Sequence, residues 1–144
     1  MKRLLPFAAP ICGVFLVWYA LAKISDPVDF LKAIHAYGVL PEKPILLLNL
    51  TASLLPWIEL FGGVALISGS MRKGAALLSA VLILIFTFAV IGRIPSEMAA
   101  QGVDFFSLKF DCGCGTGIVV AWEKLIANMA LIGGLLIAFQ ANRD

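Results

Sequence analysis

Four stretches of this chain are long and apolar enough to cross a lipid bilayer as helices, and together they use most of its 144 residues. A hydrocarbon core about 30 Å thick takes roughly 20 apolar residues per helical crossing. Leu4 to Ala22, Gly74 to Gly92 and Leu125 to Asn142 carry no charged residue, and Pro44 to Met71 carries only Glu59. At 61% hydrophobic and 14% charged residues, with a mean hydropathy of +0.99, the chain falls outside the range of ordinary soluble domains. The short alternating segments of a membrane-spanning barrel are absent. The expected fold is therefore an all-α membrane protein: one domain over residues 1–144, folded as a four-transmembrane-helix bundle with crossings near 4–22, 44–69, 74–92 and 118–140. Membrane lipid is its expected surrounding, and no nucleic-acid partner is expected.

Met1-Lys2-Arg3 followed by an apolar run and Ala20-Leu21-Ala22 imitates a secretory signal. The run holds Pro6, Pro10, Trp18 and Tyr19 and is longer than the 7 to 15 residues, roughly, of a signal core, so it is expected to stay as the first crossing. An even number of crossings puts both termini on one side. With the termini inside, Lys2, Arg3, Arg72, Lys73 and Arg143 sit in short cytoplasmic segments with Asp144 as the only acid. The other face has Lys23, Lys32, Lys43, Arg93, Lys109 and Lys124, diluted by Asp26, Asp29, Glu42, Glu97, Asp104, Asp111 and Glu123. This density difference favours a multi-pass protein of the bacterial inner (plasma) membrane with cytoplasmic termini.

In the first outer loop, Phe30, Leu31, Ile34 and Tyr37 fall at helical spacing, which predicts a short interfacial helix over Pro27 to Tyr37, ended by Gly38 and Pro41. The third loop, Arg93 to about Thr116, is expected to open with a short helix at Pro95 and Ser96 and to stop at Gly102, with Phe105, Phe106 and Phe110 as apolar contacts. Small-residue pairs at Ala9/Gly13, Ala65/Gly69, Ala75/Ser79 and Ala130/Gly134 are consistent with close helix packing.

The chemistry is concentrated at Asp111-Cys112-Gly113-Cys114-Gly115-Thr116-Gly117. The same topology is expected to put Cys112 and Cys114 on the extracytoplasmic face, where a disulfide persists. A disulfide closed across one glycine carries strain, and strained or exposed disulfides are the more oxidising, exchangeable ones. Thr116 as N-cap of the last crossing would put Cys114 at a helix N-terminus, where thiolate is favoured, while the Asp111 carboxylate opposes a second negative charge. Three readings stand open: a redox-active pair, a structural staple, and a two-thiolate site for a soft ion such as Cu(I), with Cys112 and Cys114 as ligands.

The order Ala22-Lys23-Ile24, Asp26-Pro27 and Phe30, then Tyr37-Gly38-Val39-Leu40-Pro41, Pro56-Trp57-Ile58-Glu59-Leu60 with Gly62, and Asp111-Cys112-Gly113-Cys114 resembles the MauE/DoxX family of redox-associated membrane proteins over almost the whole chain. The resemblance implies a four-helix bundle. For the branch with paired cysteines it implies thiol-disulfide redox, as in maturation of periplasmic dehydrogenases. Where relatives often continue Cys-Gly-Cys-Phe-Gly, this chain has Gly115-Thr116-Gly117, so an aromatic that would cover the sulfur is missing.

Supporting residues follow from cost and position. Glu59 deep in a crossing must be neutral, paired or facing a wet cavity; it is read as a proton carrier or as an anchor to Asn128 or to backbone freed by Pro56. Lys23 and Arg93, at outer helix ends, either stabilise a thiolate or a quinone oxygen or snorkel to the interface. His35, the only histidine, is a candidate base or a polar-face residue. Cys12 is expected to pack as a small hydrophobe. With only Cys12 in the helices, thiol relay across the bilayer is not expected. The pair is expected to meet both redox partners outside: a thiol or disulfide protein and, by analogy, a membrane quinone. The competing expectation is a non-catalytic assembly subunit or soft-metal handling protein.

Overall fold

The computed structural model describes residues 5–38, 45–111 and 117–140. Its elements are α1 (Leu5–Ser25), α2 (Pro27–Tyr37), α3 (Ile45–Ser68), α4 (Arg72–Gln101), β1 (Lys109–Asp111), β2 (Ile118–Val120) and α5 (Ala121–Gln140). Helices α1, α3, α4 and α5 have the length and apolarity to cross a membrane. They alternate in direction and close into a ring in which α1 packs on α3 and α5, and α4 packs on the same two. The all-α membrane bundle expected from the apolar runs is thus the fold. Its outer surface is apolar: Phe7, Trp18, Phe61 and Phe88 are all exposed, as a lipid-facing surface requires.

Because lipid tails are as apolar as leucine, helix association depends on close packing. A Cβ built on Gly13 would lie 2.7 Å from the Gly63 carbonyl oxygen, and one on Gly63 would lie 2.8 Å from that of Gly13, so α1 and α3 cross backbone to backbone. On the far side of α1 a Cβ on Gly134 would lie 2.6 Å from Cys12 Sγ, so the buried Cys12 fills the space beside the α5 glycine. Ala75 and Ser79 are buried in α4, as their pairing predicted. Gly69 is not an interface residue. It adopts a left-handed φ of 83° after α3, and its N–H donates to Ala65 O at 3.1 Å.

Helix α2 has the predicted bounds. The Asp26 side chain accepts from Asp29 N at 3.2 Å, Pro27 opens the first turn, and Gly38 closes the helix with its N–H donating to His35 O. Phe30, Ala33 and Ile34 are buried, Phe30 and Ile34 in a cluster with Leu48 and Ala52 of α3 and Phe86 of α4.

Two boundaries differ from expectation. Helix α4 does not end near Gly92 and restart at Pro95; it runs unbroken for 30 residues, about 45 Å at 1.5 Å per residue, and stops only at Gly102. Pro95 removes one backbone donor, which α4 tolerates without breaking. The last crossing begins at Ala121, not 118, because Ile118–Val120 forms β2, antiparallel to β1 with Asp111 opposite Ile118. Thr116 lies outside the described residues, and a helix starting at Ala121 leaves Cys114 seven residues before its first turn. The helix-terminus argument for a Cys114 thiolate therefore falls.

Candidate functional site

Among the described residues, six polar or charged side chains are buried in the bundle: Lys23, Glu59, Ser79, Thr87, Lys124 and Asn128. Their placement follows from helix direction. Side chains tilt toward their helix N-terminus, so Lys23, two residues before the end of α1, leans down into the bundle. Glu59, on the antiparallel α3, leans up toward it. The result is an ion pair with Nζ 2.6 Å from Glu59 Oε2 and both residues only 4% exposed. The ammonium also sits 4.6 Å from the centroid of the Phe86 ring and 5.1 Å from that of Phe30. One cation thus joins α1, α2, α3 and α4, with carboxylate and ring faces replacing water.

Snorkelling of Lys23 is therefore corrected: it points inward. Asn128 does not anchor Glu59 but donates to Thr87 Oγ1 at 3.0 Å, and Thr87 in turn donates to Ile83 O. Lys124, on the same face of α5 one turn before Asn128, places Nζ 4.7 Å from the centroid of the Tyr19 ring. Lys23, Glu59, Lys124, Asn128, Tyr19 and Tyr37 line a cavity of about 30 Å³, room for one or two waters. Thr87, Lys124, Tyr19 and Phe86 were not expected at a site, and Phe30 was expected only on the apolar face of α2 and in the family resemblance. The usable signal was Lys124 four residues before Asn128, a polar face on an otherwise apolar helix.

Above this cavity lies the hairpin. Leu108, Phe110, Val90 and Ala121 form a buried cluster against which Tyr19 and Tyr37 pack, so the strands rest on the end of the bundle where the cavity lies. Phe110 supplies the expected apolar contact, whereas Phe106 points outward at 74% exposure. Arg93 is not at a helix end. It lies within α4, bonded to Glu97, with its guanidinium 5.6 Å from the Tyr37 ring centroid and 5.7 Å from that of Phe110. His35 is exposed on α2, and Asp111 is exposed at the end of β1.

Cys112 and Cys114 lie outside the described residues. Their flanks are described: Asp111 and Ile118 face each other across the hairpin, and Gly117 has φ 73°, a left-handed conformation suited to glycine. Among the described residues no group of histidine, cysteine and carboxylate side chains could hold a metal ion. The structure therefore brings Lys23, Glu59 and Asn128 to one cavity, sets Arg93 beside the hairpin above it, and leaves His35 on the exposed face of α2.

The family profile described as "Methylamine utilisation protein MauE" matches residues 1–141. A protein of Methylophilus methylotrophus named "Methylamine utilization protein MauE" is 32% identical over 108 residues, covering 75% of this chain and 50% of that protein. The aligned part thus spans about half the length of that relative. No solved structure matches the chain. With a match over nearly its full length and a bundle of four membrane-length helices, the chain belongs to the MauE family of multi-pass membrane proteins.

Proposed function

We propose that this chain is a membrane thiol-disulfide redox protein serving methylamine utilisation, the process named for its relative, and that Cys112 and Cys114 exchange disulfides with a protein on the extracytoplasmic face. The observation that carries the reading is the hairpin. Because Asp111 and Ile118 are paired, the segment bearing both sulfurs leaves and returns at one point, beside strands that pack on the end of the bundle through the buried Phe110 and the half-buried Val119. A short tether anchored at both ends suits brief docking of a partner's sulfur, since Gly113, Gly115 and Gly117 present no side chain.

The exchange balances without a further reactant. A thiolate of the partner attacks one sulfur of the Cys112–Cys114 disulfide, forming a mixed disulfide and releasing the other sulfur as thiolate. The partner's second thiolate then attacks the mixed disulfide. The partner leaves oxidised, and this chain keeps two electrons as a dithiol. The same steps run in reverse for a partner that arrives oxidised. A membrane quinone is the class proposed to restore the starting state. The cavity at Lys23 and Glu59 is too small for a quinone ring, so that step is not placed there.

The test is trapping. Cys112→Ser and Cys114→Ser, each expressed in cells that express the partner, are expected to differ, one accumulating a reductant-sensitive mixed disulfide. If neither traps a protein and the purified chain instead holds copper on both sulfurs, the exchange reading is wrong and the soft-metal one replaces it.

A further inference from the structure

Arg93, Glu97 and Gln101 stand four residues apart on the last turns of α4, and so on one face of the helix. Arg93 Nε and Nη2 lie 2.8 and 2.7 Å from Glu97 Oε1. Gln101 Nε2 donates to the other carboxylate oxygen, Oε2, at 3.1 Å and to the Lys109 carbonyl oxygen of β1 at 2.9 Å. At the other end of this line the Arg93 guanidinium packs near the rings of Tyr37 on α2 and Phe110 on β1. A solvated pair at this spacing is worth only a few tenths of a kcal/mol. This one is different: the Arg93 and Glu97 side chains are only 17% and 21% exposed, and the chain of bonds ends on strand backbone.

The need for such a connection follows from the size of the hairpin. Each strand has three residues, and an isolated two-stranded ribbon is marginal in water. Strand β2 runs directly into α5 and is held by it. Strand β1 has no helix attached; it follows the non-helical stretch after Gly102. Besides its ladder with β2, the contacts that hold it include the buried Phe110, the Ala121 N–H to Leu108 O bond at 3.0 Å beside it, and Gln101. The length of α4 is thereby explained. About 20 residues suffice to cross the bilayer, and the remaining turns carry this line of side chains to β1.

We propose that Arg93, Glu97 and Gln101 form a strap that fixes the hairpin against the bundle and so sets how a partner's sulfur approaches Cys112 and Cys114. Its purpose rests on the exchange reading above, while its contacts do not. Arg93 is a positioning residue: it acts through Phe110 and Glu97, and Tyr37 ties the same guanidinium to α2.

The test compares the full chain with Arg93→Gln, Gln101→Ala and the conservative Arg93→Lys in lipid nanodiscs. Two readouts are taken: hydrogen exchange of hairpin peptides, and the ratio of maleimide labelling rates of reduced Cys112 and Cys114. Hairpin exchange is expected to rise about tenfold in Arg93→Gln and Gln101→Ala, the equivalent of one charge-assisted hydrogen bond. Arg93→Lys should be intermediate, exchange in α1 and α3 unchanged, and the labelling ratio shifted in the same order. Unchanged hairpin exchange, or raised exchange with a constant labelling ratio, overturns the proposal. A wild-type chain that never exchanges with a protein thiol would instead sink the functional reading, with the hairpin result standing by itself.

Discussion

Lys23 and Glu59 form a buried ion pair between α1 and α3, with Nζ 2.6 Å from Oε2. A carboxylate in the middle of an apolar run is legible as anomalous, and the requirement that it be paired or wetted follows from cost alone. Its partner was not legible, because 36 residues separate the two and pairing depends on the relative direction of α1 and α3. The same tilt of side chains toward the helix N-terminus leans Lys23 down α1 and Glu59 up the antiparallel α3, so that the two meet inside the bundle. Removing one partner leaves a buried charge. Lys23→Met and Glu59→Gln are each expected to lower stability by about 3–5 kcal/mol, while Lys23→Met combined with Glu59→Leu should be more stable than either single variant. Thermal unfolding in detergent followed by circular dichroism checks this. A double variant no better than the singles would show that the pair is not an isolated electrostatic unit. Cys12 and Gly134 give a second cycle. Gly134→Ala places a methyl against Sγ and should destabilise by about 1–3 kcal/mol, and Cys12→Ala should relieve most of that loss.

At the scale of elements, apolar run length predicts the four long helices, but not the extension of α4 or the hairpin. Charge resumes at Arg93 and Pro95 follows, which reads as a helix end; in fact Arg93 is accommodated by Glu97 one turn on, and the helix continues. The hairpin is unreadable by periodicity, since strands of three residues are shorter than any pattern. The close crossing of α1 and α3 was half legible: Gly13 was identified, Gly63 was not. Gly63→Ala should destabilise the bundle by about 1–3 kcal/mol, more than Gly133→Ala, where a new Cβ meets nothing within 4 Å. Helix α2 carries an exposed pair, Lys32 Nζ to Asp29 Oδ1 at 2.8 Å. The Lys32 hydrogen bond and charge lower the Asp29 pKa, and Asp29 raises that of Lys32. The Asp29 contribution is present above the ordinary carboxylate range and is lost as pH falls through the lowered value. That of Lys32 is present below the ordinary lysine range and is lost as pH rises through the raised one. Proteolysis of α2 should therefore be flat across neutral pH and rise only at both extremes; a rise within the neutral range would show that the Asp29–Lys32 pair does not hold the helix.

For the whole molecule, an apolar composition with four long runs determines a membrane bundle almost by itself, because each backbone polar group in lipid must be bonded within its own helix. Which end faces outward depends on loop charges that composition leaves nearly balanced, and on it rests the claim that a reactive dithiol meets an extracytoplasmic partner. The most direct test is impermeant maleimide mass-tagging of intact cells, before and after a membrane-impermeant reductant, with Cys12 replaced by alanine. The predicted result is two tags added from outside only after reduction, and none added when a dithiol oxidant is applied before the maleimide. Tagging that needs permeabilised cells, or that ignores reductant and oxidant alike, contradicts it.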